Sequence, residues 1–146
     1  MGRFLPETEE VLYRSGWKPG RAVDISGWVA EWEKYGIPAH QAVRDFLQEF
    51  SEISVDISGP GISMARSPFE FTLSECIGDA DIFLISNEGI GRSIYTIGVL
   101  DNGHSFLGID EYGEIYTDRP RLSSYGRMPS AMDNLVTGVR PVPVHE

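Results

Sequence analysis

Hydrophobic and polar positions change period twice along the chain. Over the first third, apolar residues recur at helical spacing. Ala39, Ala42, Val43, Phe46, Leu47 and Phe50 follow a 3.6-residue repeat and predict a helix after Pro38. Trp28, Val29, Trp32 and Tyr35 fall on one face of a shorter helix, capped by Asp24 or Ser26 and ended by Gly36. An earlier helix over residues 6–15 begins on Pro6, whose missing N–H costs nothing there, and stops at Gly16. Glu7, Glu9 and Glu10 complement its positive end.

From Ile53 the period drops to two. Ile53, Val55 and Ile57 alternate with polar neighbours as in a half-buried strand, and Gly59-Pro60-Gly61 turns the chain. Ile62 and Met64 predict a return strand, and Phe69 and Phe71 another. Residues 74–91 admit two readings. Ile82-Phe83-Leu84-Ile85 fits a buried strand, whereas Ile77, Ala80, Phe83 or Leu84, and Asn87 fit helical spacing, with Asp79 and Asp81 at its start. Helix is the favoured reading.

Residues 93–118 carry three runs rich in β-branched and aromatic residues, cut by two turn signals. Asn102-Gly103, within Asp101-Asn102-Gly103-His104, takes positive φ at both central positions of a primed hairpin turn. In Asp110-Glu111-Tyr112-Gly113, Gly113 supplies the left-handed residue of a slightly longer turn. The result is an antiparallel meander at the centre of a sheet. Residues 119–125 read as a short helical turn, Pro129 opens a last helix facing inward through Ala131, Met132, Leu135 and Val136, and Gly138 ends it. Residues 139–146 read as an extended, partly mobile tail. Together these elements predict an α+β fold, one domain over residues 1–146. Its mainly antiparallel sheet of about five to six strands has helices packed on one side.

Composition narrows the function. Of 146 residues, 41% are hydrophobic and 11% aromatic, enough for a real core. The N-terminal residues lack the basic and apolar segments of a secretory signal, and no window is apolar enough to span a membrane. A single cysteine, Cys76, fits a reducing compartment, so a cytoplasmic location is expected. The net charge of −10 is unevenly spread: residues 68–118 hold ten carboxylates against one base, Arg92, whereas residues 119–146 sum to +2. Such a charge repels nucleic acid and anionic membranes and suits a basic partner, or simply solubility.

The usual signatures of catalysis are missing. His40, His104 and His145 are scattered, and one cysteine gives no zinc spacing. Asp110 to Glu114 lacks the ligand pattern of a calcium loop. Gly59-Pro60-Gly61 and Gly89-Ile90-Gly91 do not extend to phosphate-binding motifs. Asp101, His104 and Ser105 supply triad residue types without a nucleophile-elbow sequence. Asp110 and Glu111 are adjacent, so on a strand they point to opposite faces and are poorly placed as an acid–base pair. No catalytic residue, metal or cofactor is expected. What remains is carboxylates interleaved with aromatics, a composition suited to binding a protein. The candidate contacts are Asp101, Asp110, Glu111, Tyr112, Glu114 and Tyr116.

Five segments in this order carry a family resemblance: FLPETEEVLYRSGWKPGRAVDISGW, FLQEF, ISVDISGPG, PFEF and YTIGVLDNGHSFLGIDEYGEIY. Together they resemble the third immunity-protein subgroup of the SUKH superfamily, over about residues 4–140. The resemblance implies helices packed against a sheet and a protein encoded beside a secreted polymorphic toxin, often a nuclease or nucleic-acid deaminase. Such a protein binds and neutralises the toxin in the producing cell. The family has no shared catalytic triad, and its toxin contacts vary too much to transfer. The expected partner is a basic toxin domain, met by a monomer or weak homodimer. The alternatives are an intracellular adaptor of the same fold and a small hydrolase using the carboxylates.

Overall fold

The computed structural model describes residues 3–145. Seven strands form one antiparallel sheet in chain order: β1 (Ser54–Val55), β2 (Phe69–Glu70), β3 (Tyr95–Leu100), β4 (Ser105–Ile109), β5 (Glu114–Thr117), β6 (Ser123–Arg127) and β7 (Val142–Pro143). Five α-helices accompany it: α1 (Pro6–Arg14), α2 (Ser26–Glu33), α3 (Gln41–Phe50), α4 (Leu84–Ile90) and α5 (Ser130–Thr137). The class is α+β, with more strands than the pattern predicts.

The meander occupies the middle of the sheet as β3, β4 and β5. Asn102 and Gly103 have φ of 56° and 89°, and the His104 N–H donates to the Asp101 carbonyl at 3.1 Å, so the Asn-Gly pair sits at the centre of the turn. Asp101 is also left-handed, and the ladder stops at Leu100–Ser105, which lengthens the loop to four residues. In the β4–β5 turn Gly113 has φ 82°. No atom lies within 4 Å of the Cβ an alanine would add there. Gly113→Ala therefore isolates backbone strain. It is expected to lower unfolding free energy by about 1–2 kcal/mol, measurable by urea denaturation.

Directly opposed residues share a sheet face, which sorts the core. Leu107, Ile109, Ile115 and Tyr125 point to the side on which Leu12, Trp32, Leu47, Phe50, Met132 and Leu135 bring in α1, α2, α3 and α5. Trp32 stacks on Tyr95 at 5.9 Å between ring centroids. Gly108 and Tyr116 are opposed on the other side, where Phe83, Ile94 and Leu122 complete a smaller buried cluster. A Cβ on Gly108 would lie 2.4 Å from Ile94 and 2.8 Å from Phe83. The helices are thus not confined to one side: the segment leading into α4 closes the second face.

Four expectations need correction. Residues 62–64 are not a return strand. Their N–H groups bond the Thr137 and Gly138 carbonyls at 2.9–3.1 Å, and the backbone approach of Gly61 to Gly138 lets this loop cap the end of α5. Residues 74–83 are mostly turns, and the helix of that region starts only at Leu84, later than Asp79 and Asp81 suggest. Residues 119–125 are not a helical turn. Ser123 onward extends as β6 and pairs with both β5 and β7, so part of the tail is also strand. Tyr35 lies past the end of α2 and is exposed, leaving Trp28 and Trp32 as that helix's buried residues.

Candidate functional site

The β4–β5 turn gathers most of the carboxylates and aromatics that the sequence singles out, and it does so around a buried charge. Asp110 is fully buried. Its Oδ1 accepts the N–H groups of Tyr112 at 2.9 Å and Glu114 at 3.0 Å, which holds the loop closed. Its Oδ2 accepts from Arg92 Nη1 and from the Tyr116 hydroxyl, each at 2.8 Å. Four donors satisfy the carboxylate, as burial of a charge demands. Tyr116 is buried too, and burial together with its bond to Asp110 pushes the phenol well above its ordinary range.

Around this centre the carboxylates find partners. Glu114 bonds the Ser124 hydroxyl at 2.6 Å and stands 3.9 Å from Arg92. Glu111 accepts the Ser93 N–H at 2.9 Å. The exposed ring of Tyr112 lies under the guanidinium groups of Arg92 at 4.7 Å and Arg127 at 5.5 Å. Asp101 is exposed but belongs to the turn at the opposite end of β4. The structure therefore brings together Asp110, Glu111, Tyr112, Glu114 and Tyr116 and leaves Asp101 apart. Of the five, Asp110 and Tyr116 lie inside, so they support the turn and offer no contact surface.

A second segment carries acids that form no ion pair among the described residues. Between residues 75 and 88 the acids are Glu75, Asp79, Asp81 and Glu88, with no base among them. The same segment leaves Ile77, Ile82, Leu84 and Ile85 exposed, Ile85 to 83%. Large exposed apolar side chains in a segment rich in carboxylates are what a protein-binding patch presents to solvent. Phe83 and Ala80, both buried, fix the segment from beneath, and the Thr96 hydroxyl donates to the Ala80 carbonyl at 3.3 Å. Asn87 clamps its far end, accepting the Ile94 N–H at 2.8 Å.

Leu84 also borders a cleft of about 270 Å³ between α4 and the α2–α3 connection. His40 closes its floor. Nδ1 accepts the Val43 N–H at 3.1 Å, so Nε2 carries the proton and faces the carbonyls of Ser93 at 3.0 Å and Ile109 at 3.2 Å. Sequence reasoning passed over this patch because helical spacing placed Ile77 and Leu84 inward. A base-free run of acids alternating with isoleucines was the available signal. Among the described residues no group of three His, Cys, Asp or Glu is arranged to hold a metal, and no helix is long and apolar enough to cross a membrane.

No curated protein and no solved structure matches the chain. The sequence model of the SUKH-3 immunity protein family, in contrast, matches residues 4–138, nearly the whole length. With the α+β sheet and its flanking helices, that match places the chain in the SUKH-3 immunity protein family.

Proposed function

We propose that this protein works in the cytoplasm of a toxin-producing cell, where it binds and neutralises a cognate polymorphic toxin domain that acts on nucleic acid. An enzyme that handles a polyanion presents basic residues around its site, and a tightly held acidic protein excludes the substrate from them. The observation that carries the reading is the segment before and within α4, where Ile77, Ile82 and Ile85 stand exposed among Glu75, Asp79, Asp81 and Glu88 without a neutralising base. The apolar residues supply the desolvated centre of an interface and the carboxylates its steering rim. Glu111 and Tyr112 extend that rim, because Ser93, three residues past α4, is bonded to Glu111. Binding alone accounts for the activity, with no chemistry required of the chain itself.

Coexpression with the toxin domain encoded beside it should restore growth, and the two chains should copurify as one complex. Ile85→Asp is expected to weaken the complex about 10- to 100-fold, as loss of an interface anchor does. Ile62→Asp, at a residue also well exposed but on the loop that caps α5, should leave it unchanged. The association rate should fall steeply as ionic strength rises. A flat salt response, or equal loss in both variants, removes α4 as the docking surface. Survival without complex formation removes neutralisation by binding, and capture of several unrelated partners favours an adaptor.

A further inference from the structure

The apolar face of the sheet ends in a row of hydroxyls. Thr117 is opposed to Leu107 on one side and to Ser123 on the other, and Ser105 lies two residues before Leu107 on β4, so Ser105, Thr117 and Ser123 share that face. All three are buried. The Ser123 hydroxyl donates to the Arg121 carbonyl at 3.1 Å, but Thr117 Oγ1, in a residue only 1% exposed, has no protein partner. Thr117 Oγ1 is sealed beneath its neighbours, so it belongs to the wall and is not itself a ligand contact. Beside this row opens a cleft of about 380 Å³.

Arg119, Arg121 and Arg140 line the same cleft, with Asp101 its one carboxylate. In a chain of net charge −10, three of the four bases in residues 119–146 converge there. Arg121 and Arg140 form no ion pair among the described residues, and Arg119 only approaches Asp118 at 3.9 Å. Arg140 is anchored instead by Ser63, whose hydroxyl accepts its backbone N–H at 2.7 Å. Leu100, Tyr125, Pro141 and Pro143 give the remaining wall an apolar lining. Arginines, serines and apolar side chains lining one cleft match a small anion with an organic body.

We infer that this cleft binds the phosphate group of a small molecule, with the arginines on the phosphate oxygens and Ser105 and Ser123 in the wall beside it. A nucleotide and a free polyphosphate share that chemistry. The site lies at the β3–β4 end of the sheet, lined by residues of other segments than α4, and stands whether or not the immunity reading does.

Calorimetric titration of the purified chain at low salt with adenosine triphosphate, inorganic pyrophosphate and adenosine tests it. Both phosphates are expected to bind with dissociation constants below about 1 mM, and adenosine not to bind. Tighter binding of the nucleotide than of pyrophosphate assigns the apolar wall to its organic body. Equal binding assigns the cleft to the phosphate chain alone, and either result supports the site. Arg121→Gln, at a residue whose side chain makes no hydrogen bond among the described residues, should weaken binding about tenfold. The proposal is overturned if neither phosphate binds by about 10 mM. Affinity unchanged in Arg121→Gln overturns it equally, since the anion would then sit elsewhere.

Discussion

Asp110→Ala should cost about 3–5 kcal/mol of unfolding free energy and lower the melting temperature by about 10 °C or more. The carboxylate is fully buried, and its removal strands four donors: the N–H groups of Tyr112 and Glu114, the Tyr116 hydroxyl, and Arg92. Two of these are backbone groups inside the β4–β5 turn, so the loss reaches the register of the central strands. Arg92→Met separates this template role from simple charge pairing. Asp110 would then keep three of its four donors, so the arginine variant should lose clearly less. Equal or greater loss on removing Arg92 would show that the ion pair, and not the turn, is what Asp110 holds together. Thermal unfolding of the two variants side by side decides it.

The burial of Asp110 was not visible in the sequence, for a physical reason. A carboxylate at the first position of a turn is ordinarily solvated, and nothing local distinguishes one that is not. The available clue was distant: Arg92 is the only base among ten acids over residues 68–118, and it is the side chain that reaches Asp110. What local chemistry determines was readable. Asn102-Gly103 and Gly113 adopt the left-handed geometry their residue types predict, and Pro6 begins α1 as its missing N–H allows. What depends on contacts across the fold was not. Residues 62–64 have strand-like alternation but follow Gly138, because only there can two glycine backbones approach so closely. In β6 only Tyr125 supplies a large apolar side chain, and pairing with β5 makes it a strand.

The same division applies to the candidate surface. Counting charge located the excess in the middle of the chain but could not say which carboxylates neighbouring arginines would neutralise. Folding places Arg92 and Arg127 beside the β4–β5 turn, while Glu75, Asp79, Asp81 and Glu88 form no ion pair among the described residues, on the segment whose secondary structure was hardest to read. That ambiguity has a cause. Residues 74–83 face both ways, with Cys76, Ala80 and Phe83 held inside and Ile77 and Ile82 outside, and such a pattern satisfies neither a strand nor one helical face.

Above pH 9 the protein is expected to lose stability at an accelerating rate, by several kcal/mol at pH 11, a large part of a typical domain's total. Four buried groups produce the effect. Burial pushes the Cys76 thiol from 9.0 up to about 12, with Asp79 and Glu75 adding to it, and pushes Tyr125 from 10.0 up to about 12. Burial raises Tyr95 further, and burial plus the bond to Asp110 raises Tyr116 further still. In each case the folded chain keeps a proton that the unfolded chain has already released. Stabilisation is therefore complete below the unfolded value and drains away as pH climbs toward the folded one, at about 1.4 kcal/mol per pH unit for each group. Cys76 starts the decline near pH 9, and the tyrosines steepen it beyond 10. Urea midpoints between pH 8 and 11 should trace this curve, Cys76→Ala should remove its early limb, and Tyr116→Phe should flatten the later one. A midpoint unchanged up to pH 11 would mean that these four groups titrate alike in the folded and unfolded chains, and a slope that neither variant alters would mean it of Cys76 and Tyr116.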